Sequence, residues 1–442
     1  ACSMYPGDQD FLDNVKKEAI DNVKRLRNHP CIALWCGNNE IETAWGEYLE
    51  HAGWGWKQQY SAEQRKTIWN DYEKVFHQIL PDVIKTYTHG DFYWKSSPTA
   101  GDKMLATYES RSGDMHYWGV WHGKHPFTDF DTYVGRFMSE YGFQSFPLLS
   151  SVKKYTTIDD WDIESEVMAS HQRSGIGNLR IKEYMSDGYQ VPNDFEQFLY
   201  VGQVLQADGI RYAIEAHRKN MPYCMGSLYW QLNDCWPVAS WSSIDYYGKW
   251  KALQYTAKEA FKNQIISIWT EGDTINIYGI SDLEIDQDAI LQVELIDYSG
   301  KAQWKEEIKF ILKGNNSTLI YSKRKGDLLF GNNPDQMILA AHLISQGDTL
   351  DRALFDFVLP KHLKLKPPSI DLTWNANQLS VSTDTYVKGL YLDILGWEGR
   401  FSDNFFDLIP TEPKILHWSG ALDDRQRDAL KYLHLQQTTM NE

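Results

Sequence analysis

The hydrophobic rhythm of the chain changes near residue 263. Before that point, apolar residues at helical spacing alternate with short, uniformly apolar runs; after it, apolar and polar residues alternate in short stretches. In residues 11–28 the apolar positions Leu12, Val15, Ala19, Val23 and Leu26 form one helical stripe. Asp8 and Asp10 precede it and Lys24, Arg25 and Arg27 close it, which complements the helix dipole at both ends, and Pro30 stops it. The run Cys-Ile-Ala-Leu-Trp-Cys at 31–36 is apolar on both sides of the chain. That pattern predicts a strand buried on both faces in a helix-covered parallel sheet. Gly37 breaks the run, and Asn38, Asn39 and Glu40 emerge at its carboxyl end.

A second helix is expected over 61–80, with Ser61 and Gln64 as a capping box and Ile68, Tyr72, Val75, Phe76 and Ile79 inward. Residues 92–95 read as a strand, 113–130 as a long loop, and 136–139 as a strand leading into Glu140. Asn193 and Asp194 cap a long helix that reaches about residue 220. A buried strand at 223–230 and a last helix at 247–262 complete this part. Counted with a run near 104–108, five strands precede residue 263, and residues 1–5 read as the tail of an earlier one. Beyond 263, alternating runs at 265–269, 274–278, 290–296 and 337–340, separated by turn signals, suit a β-sandwich. Residues 364–368 read as a linker, and runs at 378–382 and 390–394 open a second all-β segment.

Composition narrows the function classes. A chain of 442 residues exceeds one typical domain. The net charge of −16 argues against nucleic acid or an anionic membrane as partner, and makes sulfated or uronic polymers poor substrates. No apolar stretch approaches the roughly 20 residues of a membrane-spanning helix. Five cysteines at scattered spacing build no disulfide framework; Cys31, Cys36, Cys224 and Cys235 read as small buried hydrophobes. His116, His122 and His125 match no common zinc spacing, so no metal or cofactor is expected.

Two lone carboxylates carry the chemistry. Glu40 and Glu140 each follow an apolar run that reads as a strand. A barrel enzyme keeps its chemistry at the carboxyl ends of its strands, and glycoside hydrolysis needs two carboxyl groups facing one sugar. The fold class expected is therefore multi-domain α/β plus all-β: a partial (β/α)8 barrel of TIM type over 1–263, then two immunoglobulin-like β-sandwich domains over 264–363 and 364–442, the second incomplete.

Several segments resemble one family. Residues 28–40 (Asn-His-Pro-Cys-Ile-Ala-Leu-Trp-Cys-Gly-Asn-Asn-Glu) resemble the acid/base segment of the β-mannosidases of glycoside hydrolase family 2. Residues 113–121 (Gly-Asp-Met-His-Tyr-Trp-Gly-Val-Trp) and 136–147 (Arg-Phe-Met-Ser-Glu-Tyr-Gly-Phe-Gln-Ser-Phe-Pro) resemble its nucleophile region. Residues 226–234 (Gly-Ser-Leu-Tyr-Trp-Gln-Leu-Asn-Asp) with 241–246 resemble its closing strand, and 401–408 a segment of its last sandwich. The resemblance is detailed over 1–263 and mainly architectural beyond.

The resemblance implies a retaining exo-acting enzyme that releases terminal β-linked mannose from oligosaccharides. Glu40 would be the acid/base, protonated for leaving-group departure and then ionised to activate water, and Glu140 the nucleophile. Asn39 would bind the sugar 2-hydroxyl, Trp230 would stack on the sugar, His122 would hydrogen-bond Glu140, and Trp54 would form a second aromatic wall, with Trp56 a near-equal alternative. A full barrel needs eight strand–helix units, so the resemblance also implies a missing N-terminal part of the parent enzyme and little activity for this portion alone. An open sheet edge invites pairing with another chain, so a homodimer is a further expectation. For a bacterial source the resemblance favours a periplasmic or extracellular setting. The alternatives are another family 2 exo-glycosidase, such as a β-galactosidase or β-glucuronidase, and a non-catalytic carbohydrate-binding protein.

Overall fold

The computed structural model describes residues 4–45, 57–101, 112–420 and 422–439. Two compact units emerge: one within Ala1–Tyr117, Tyr133–Tyr141 and Tyr223–Leu228, the other within Trp118–Thr132, Gly142–Pro222 and Tyr229–Glu442.

In the first unit, the helix Gln9–Leu26 starts where Asp8 accepts the Phe11 N–H and ends on Lys24 and Arg25, as the charge pattern requires. Ser61 and Gln64 form both halves of the capping box that opens the helix Ala62–Glu73. This helical segment does not stop at residue 80. It passes through a π-helical turn, Lys74–Ile79, into Leu80–Tyr87, and Leu80 N–H donates to the Val75 carbonyl. Pro81 explains the wider turn, since its ring lacks an N–H and crowds the carbonyl four residues back. Leu12, Ile41, Trp45, Tyr72, Val75 and Phe76 make one core cluster, and Val23, Val83 and Ile84 another.

Short parallel pairings accompany these helices. Trp35–Cys36 pairs with Tyr93–Trp94, and Met115–His116 pairs with Met138–Glu140. The segment 113–130 is therefore no plain loop, because it contributes a strand at its start and the helical turn Asp129–Thr132. The run 31–36 is also not a strand buried on both faces. Its strand is two residues long, and Cys31, Leu34 and Cys36 are exposed. Residues 223–228 run beside Met138–Glu140, with Met225 N–H donating to Arg136 and Leu228 N–H to Met138. Tyr223, Met225 and Leu228 are exposed, and only Cys224 of that run is buried. In each case the described ladder lies along one side of the segment, and no sheet layer closes over the other face among the described residues. Met4 and Tyr5 are outside any strand, and the run near 104–108 lies outside the described residues.

The second unit contains the helix Phe195–Lys219, capped where Asp194 accepts the Gln197 N–H. The last helix before the sheets is shorter than expected, Ala252–Ala260. A four-stranded antiparallel sheet follows, in the order Asp348–Asp356, Met337–Ser345, Gln287–Asp297, Ala302–Leu312; a three-stranded one orders Gln264–Glu271, Thr274–Ser281, Asn316–Arg324. Leu291, Val293 and Leu295 share one core with Leu339, Ala341 and Leu343 and with Ile275 and Ile277 of the other sheet. Two-residue alternation thus directs each sheet's apolar face into a common interior. Cys235 is exposed, unlike the buried position expected for it.

Two three-stranded sheets follow. Ile370–Asn375, Gln378–Thr383 and Lys414–His417 form one, and Phe406–Leu408, Val387–Ile394 and Leu430–Leu433 the other. They bury Leu379, Val381, Leu390, Leu392, Leu408 and Leu416 between them. Ile338 and Ala340, on the reverse face of the Met337–Ser345 strand, join a further cluster with Tyr386 and Ile409.

Candidate active site

Glu40 is positioned by the ladder that precedes it. Gly37 N–H donates to the Trp94 carbonyl, Ser97 N–H to Asn38, and Glu40 N–H to the Ser97 carbonyl at 2.7 Å. A side chain at Gly37 would bring its Cβ to 2.3 Å from the Lys95 carbonyl oxygen, so this close approach admits only glycine. Glu40 itself has φ of +63°, a left-handed conformation that costs energy for a residue with a side chain. The chain then turns directly into the helix Ile41–Trp45. Asn38 caps that turn, since its Oδ1 accepts from Ile41 N–H and from Ser96 Oγ, while its Nδ2 donates to Tyr72 and to the Lys95 carbonyl. Asn39 forms a parallel bridge with Ser97 and is half-buried.

Glu140 ends its strand, paired in register with His116, and its carbonyl accepts from Tyr117 N–H. This parallel pairing sets Glu140 beside His116, and the imidazole also meets Glu40. His116 Nδ1 lies 2.7 Å from Glu40 Oε1 and 3.7 Å from Glu140 Oε2. His116 is 4% exposed, and both carboxyl groups keep a small opening to solvent. The three atoms lie within 4.8 Å of one another. Among the described residues this is the grouping with the composition of a cation site, and the 2.7 Å contact is that of a hydrogen bond.

Behind His116 the network continues. Its Nε2 lies 3.0 Å from Ser97 Oγ, which donates to Asp114 Oδ2 at 2.6 Å. Asp114 also accepts from Ser139 Oγ, Trp94 Nε1 and Thr99 N–H. Two residues past Glu40, the buried Glu42 lies 3.4 Å from Lys95 Nζ and 3.5 Å from His77 Nε2. Burial pushes its carboxyl up, but His77, Lys95 and Thr99 outweigh burial and hold it below the usual carboxylate range. Glu42 is thus biased toward its charged form beside this turn.

The remaining expected residues lie elsewhere in the chain. Trp54 and its alternative Trp56 fall outside the described residues. His122 and Trp230 belong to the second unit, where His122 N–H donates to the Trp118 carbonyl, its ring lies 5.4 Å from that of Trp118, and Trp230 is 42% exposed. Reading the sequence missed His116, Ser97 and Asp114 as site residues. His116 stood out there only as one of three histidines without a zinc spacing. The Asp-Met-His order at 114–116 held a signal, since alternate residues of a strand share a face, which puts Asp114 and His116 on one side.

Comparison with known proteins bears on the family of the chain. Residues 273–362 match the family model of the mannosidase Ig/CBM-like domain, and residues 365–438 match that of an Ig-fold domain of mannosidases. The β-mannosidase of Capra hircus is 30% identical over 92% of this chain and 49% of its own length. Beta-mannosidase B of Thermothelomyces thermophilus is 28% identical over 96% of this chain and 53% of its own. The crystal structure of the β-D-mannosidase of Dictyoglomus thermophilum superposes with a TM-score of 0.84 at 28% identity, covering 98% of this chain and 51% of that one. The chain spans about half the length of the relatives it matches. With immunoglobulin-like domains of the mannosidase type behind a unit that carries paired glutamates, the chain belongs to the β-mannosidases of glycoside hydrolase family 2.

Proposed function

We propose that the protein carrying this chain is a retaining exo-β-mannosidase acting by double displacement on terminal β-mannosides of oligosaccharides. One observation carries the proposal: Glu40 and Glu140, a hundred residues apart in sequence, present oxygens within 4.8 Å of each other around one imidazole. Retention requires carboxyl groups about 5–5.5 Å apart, whereas inversion leaves room for a water at roughly 6.5–9.5 Å. The short separation favours retention. In the first step Glu140 attacks the anomeric carbon, Glu40 protonates the departing oxygen, and a glycosyl–enzyme forms. In the second, Glu40 removes a proton from water, which displaces Glu140. Asn39 is assigned to the sugar 2-hydroxyl, and Trp54, with Trp56 the near-equal alternative, to an aromatic wall.

The parallel pairings of the first unit support reading 1–263 as part of a (β/α)8 barrel, with sandwich domains over 264–363 and 364–442. The test is turnover of nitrophenyl β-mannoside, β-galactoside and β-glucuronide by the protein that carries this chain. A preference for mannoside, together with a covalent adduct on Glu140 from a 2-deoxy-2-fluoro mannosyl donor, is the expected result. Preference for galactoside or glucuronide ends the mannosidase reading, and an adduct elsewhere ends the assignment of Glu140.

A further inference from the structure

We propose that His116 is the positioning residue for the acid proton at Glu40, locked by Ser97 and Asp114 with a hydrogen always on Nε2. The inference rests on reading Glu40 as the acid/base, and it follows from counting hydrogens. The Asp114 carboxylate only accepts, and four donors surround it: Trp94 Nε1, Thr99 N–H, Ser97 Oγ and Ser139 Oγ. Ser97 has a single hydroxyl hydrogen. Its Oγ stands 2.6 Å from Asp114 Oδ2, a separation between two oxygens that requires the hydrogen to lie between them. Ser97 therefore has nothing left to donate to the ring nitrogen 3.0 Å away, so that contact must be His116 Nε2–H donating to Ser97 Oγ.

The opposite nitrogen is then committed as well. With Nε2 protonated, the 2.7 Å contact between Nδ1 and Glu40 Oε1 holds one mobile proton and no other. When the proton sits on oxygen, the Glu40 hydroxyl donates into the Nδ1 lone pair. When it sits on nitrogen, an imidazolium faces the Glu40 carboxylate. In both states the pair carries the one proton that the leaving group needs. During glycosyl transfer that proton passes to the glycosidic oxygen, which also takes the electron pair of the breaking C–O bond. Glu40 is left as a carboxylate opposite a bare Nδ1 lone pair. Two lone pairs at this distance repel, which drives the pair to recover a proton from the water that attacks next. His116 is buried and lies 3.7 Å from Glu140 Oε2, so it faces both carboxyl groups.

Imidazole nitrogen NMR of the 15N-labelled protein, with His116 assigned by its loss in His116→Gln or by through-bond correlation, tests the lock directly. The expected spectrum has a hydrogen on Nε2 at every pH at which the protein is folded, and Ser97→Ala allows a population with the hydrogen on Nδ1 alone. A native ring with Nδ1–H and bare Nε2 overturns the proposal. Kinetics supply a second measurement. His116→Gln should reduce kcat/KM for an alkyl β-mannoside by about 10²-fold, while a dinitrophenyl β-mannoside, whose leaving group needs no proton, changes by less than about threefold. Equal losses on both substrates mean a merely structural role and also overturn it. Absence of mannosidase activity, or turnover indifferent to Glu140→Ala, sinks the proposed function instead, and the NMR result still decides the tautomer.

Discussion

Two places in this molecule set a pair of carboxylates around one basic nitrogen, and they are built for opposite ends. In the first unit Glu40 and Glu140 flank the His116 imidazole at unequal distances, 2.7 and 3.7 Å, Glu140 at the end of a three-residue strand and Glu40 four residues past a two-residue one. In the second unit Asp356 and Asp407 flank Lys388 almost equally, at 2.8 and 2.9 Å, with Asp407 on the strand paired to that of Lys388 and Asp356 on a strand of another sheet. Tyr386 OH and Gly389 N–H add donors to Asp407. Burial works against the Lys388 charge, but Asp356 and Asp407 outweigh it and hold its pKa well above the usual lysine range. A permanent cation matched by close partners has no proton to give at working pH, so that cluster ties strands together. An imidazole that faces two carboxyl groups and satisfies one of them more closely leaves a proton able to move. The difference between glue and chemistry is thus the identity and symmetry of the central base.

The largest effect should come from Glu140→Ala, which should lower kcat by at least about 10³-fold while leaving the thermal midpoint nearly unchanged, measured by steady-state kinetics beside calorimetry. Unchanged turnover would break the contrast at once. Lys388→Met should do the reverse in kind. It strands two half-buried carboxylates and should cost about 3 kcal/mol in urea unfolding, and adding Asp356→Asn and Asp407→Asn should recover most of the loss.

Lys251 sharpens the comparison because it is a buried lysine that donates to the Ser145 and Ser240 carbonyls, at 3.0 and 3.3 Å. Burial pulls its pKa down to about 8, against the opposing pull of Asp234 and Asp245. Between pH 8 and its ordinary value of 10.5 the unfolded chain holds a proton that the folded chain has released, so its contribution to stability rises with pH in that window. Below pH 8 the full burial penalty, on the order of 3 kcal/mol, is present. The difference in urea midpoint between the native protein and Lys251→Met, followed from pH 8 to 10, should show this rise. A flat difference would mean the charge is not buried as described. The smallest effect expected is that of Asn38→Ala, about 1 kcal/mol of stability, with kcat reduced more than KM because the cap that orients the Glu40 turn is gone.

Much of the local structure was legible in the residues. The caps at Asp8, Ser61 and Asp194 are side-chain bonds to backbone three residues on, so they can be read from spacing alone. The sandwich strands obey a two-residue alternation that survives in the folded cores. The strands of the first unit were overestimated, because an apolar run shows what could be buried and not which layers are present to bury it. Cys31, Leu34 and Leu228 are apolar by type and exposed in fact. The two glutamates stood out because each follows such a run, and their convergence on a shared imidazole belongs to the structure.

By itself, then, the amino-acid sequence determined the helices, their ends, the alternating faces of the sandwiches and the two acidic residues worth attention. These depend on contacts within a few positions of the chain or on side-chain type. Tertiary structure alone decided that His116 stands between Glu40 and Glu140, that Ser97 and Asp114 hold it, and that Lys388 is shared by two aspartates from different strands. Such pairings join residues some twenty to a hundred positions apart, and local propensity carries no information about which distant partner a strand end will meet.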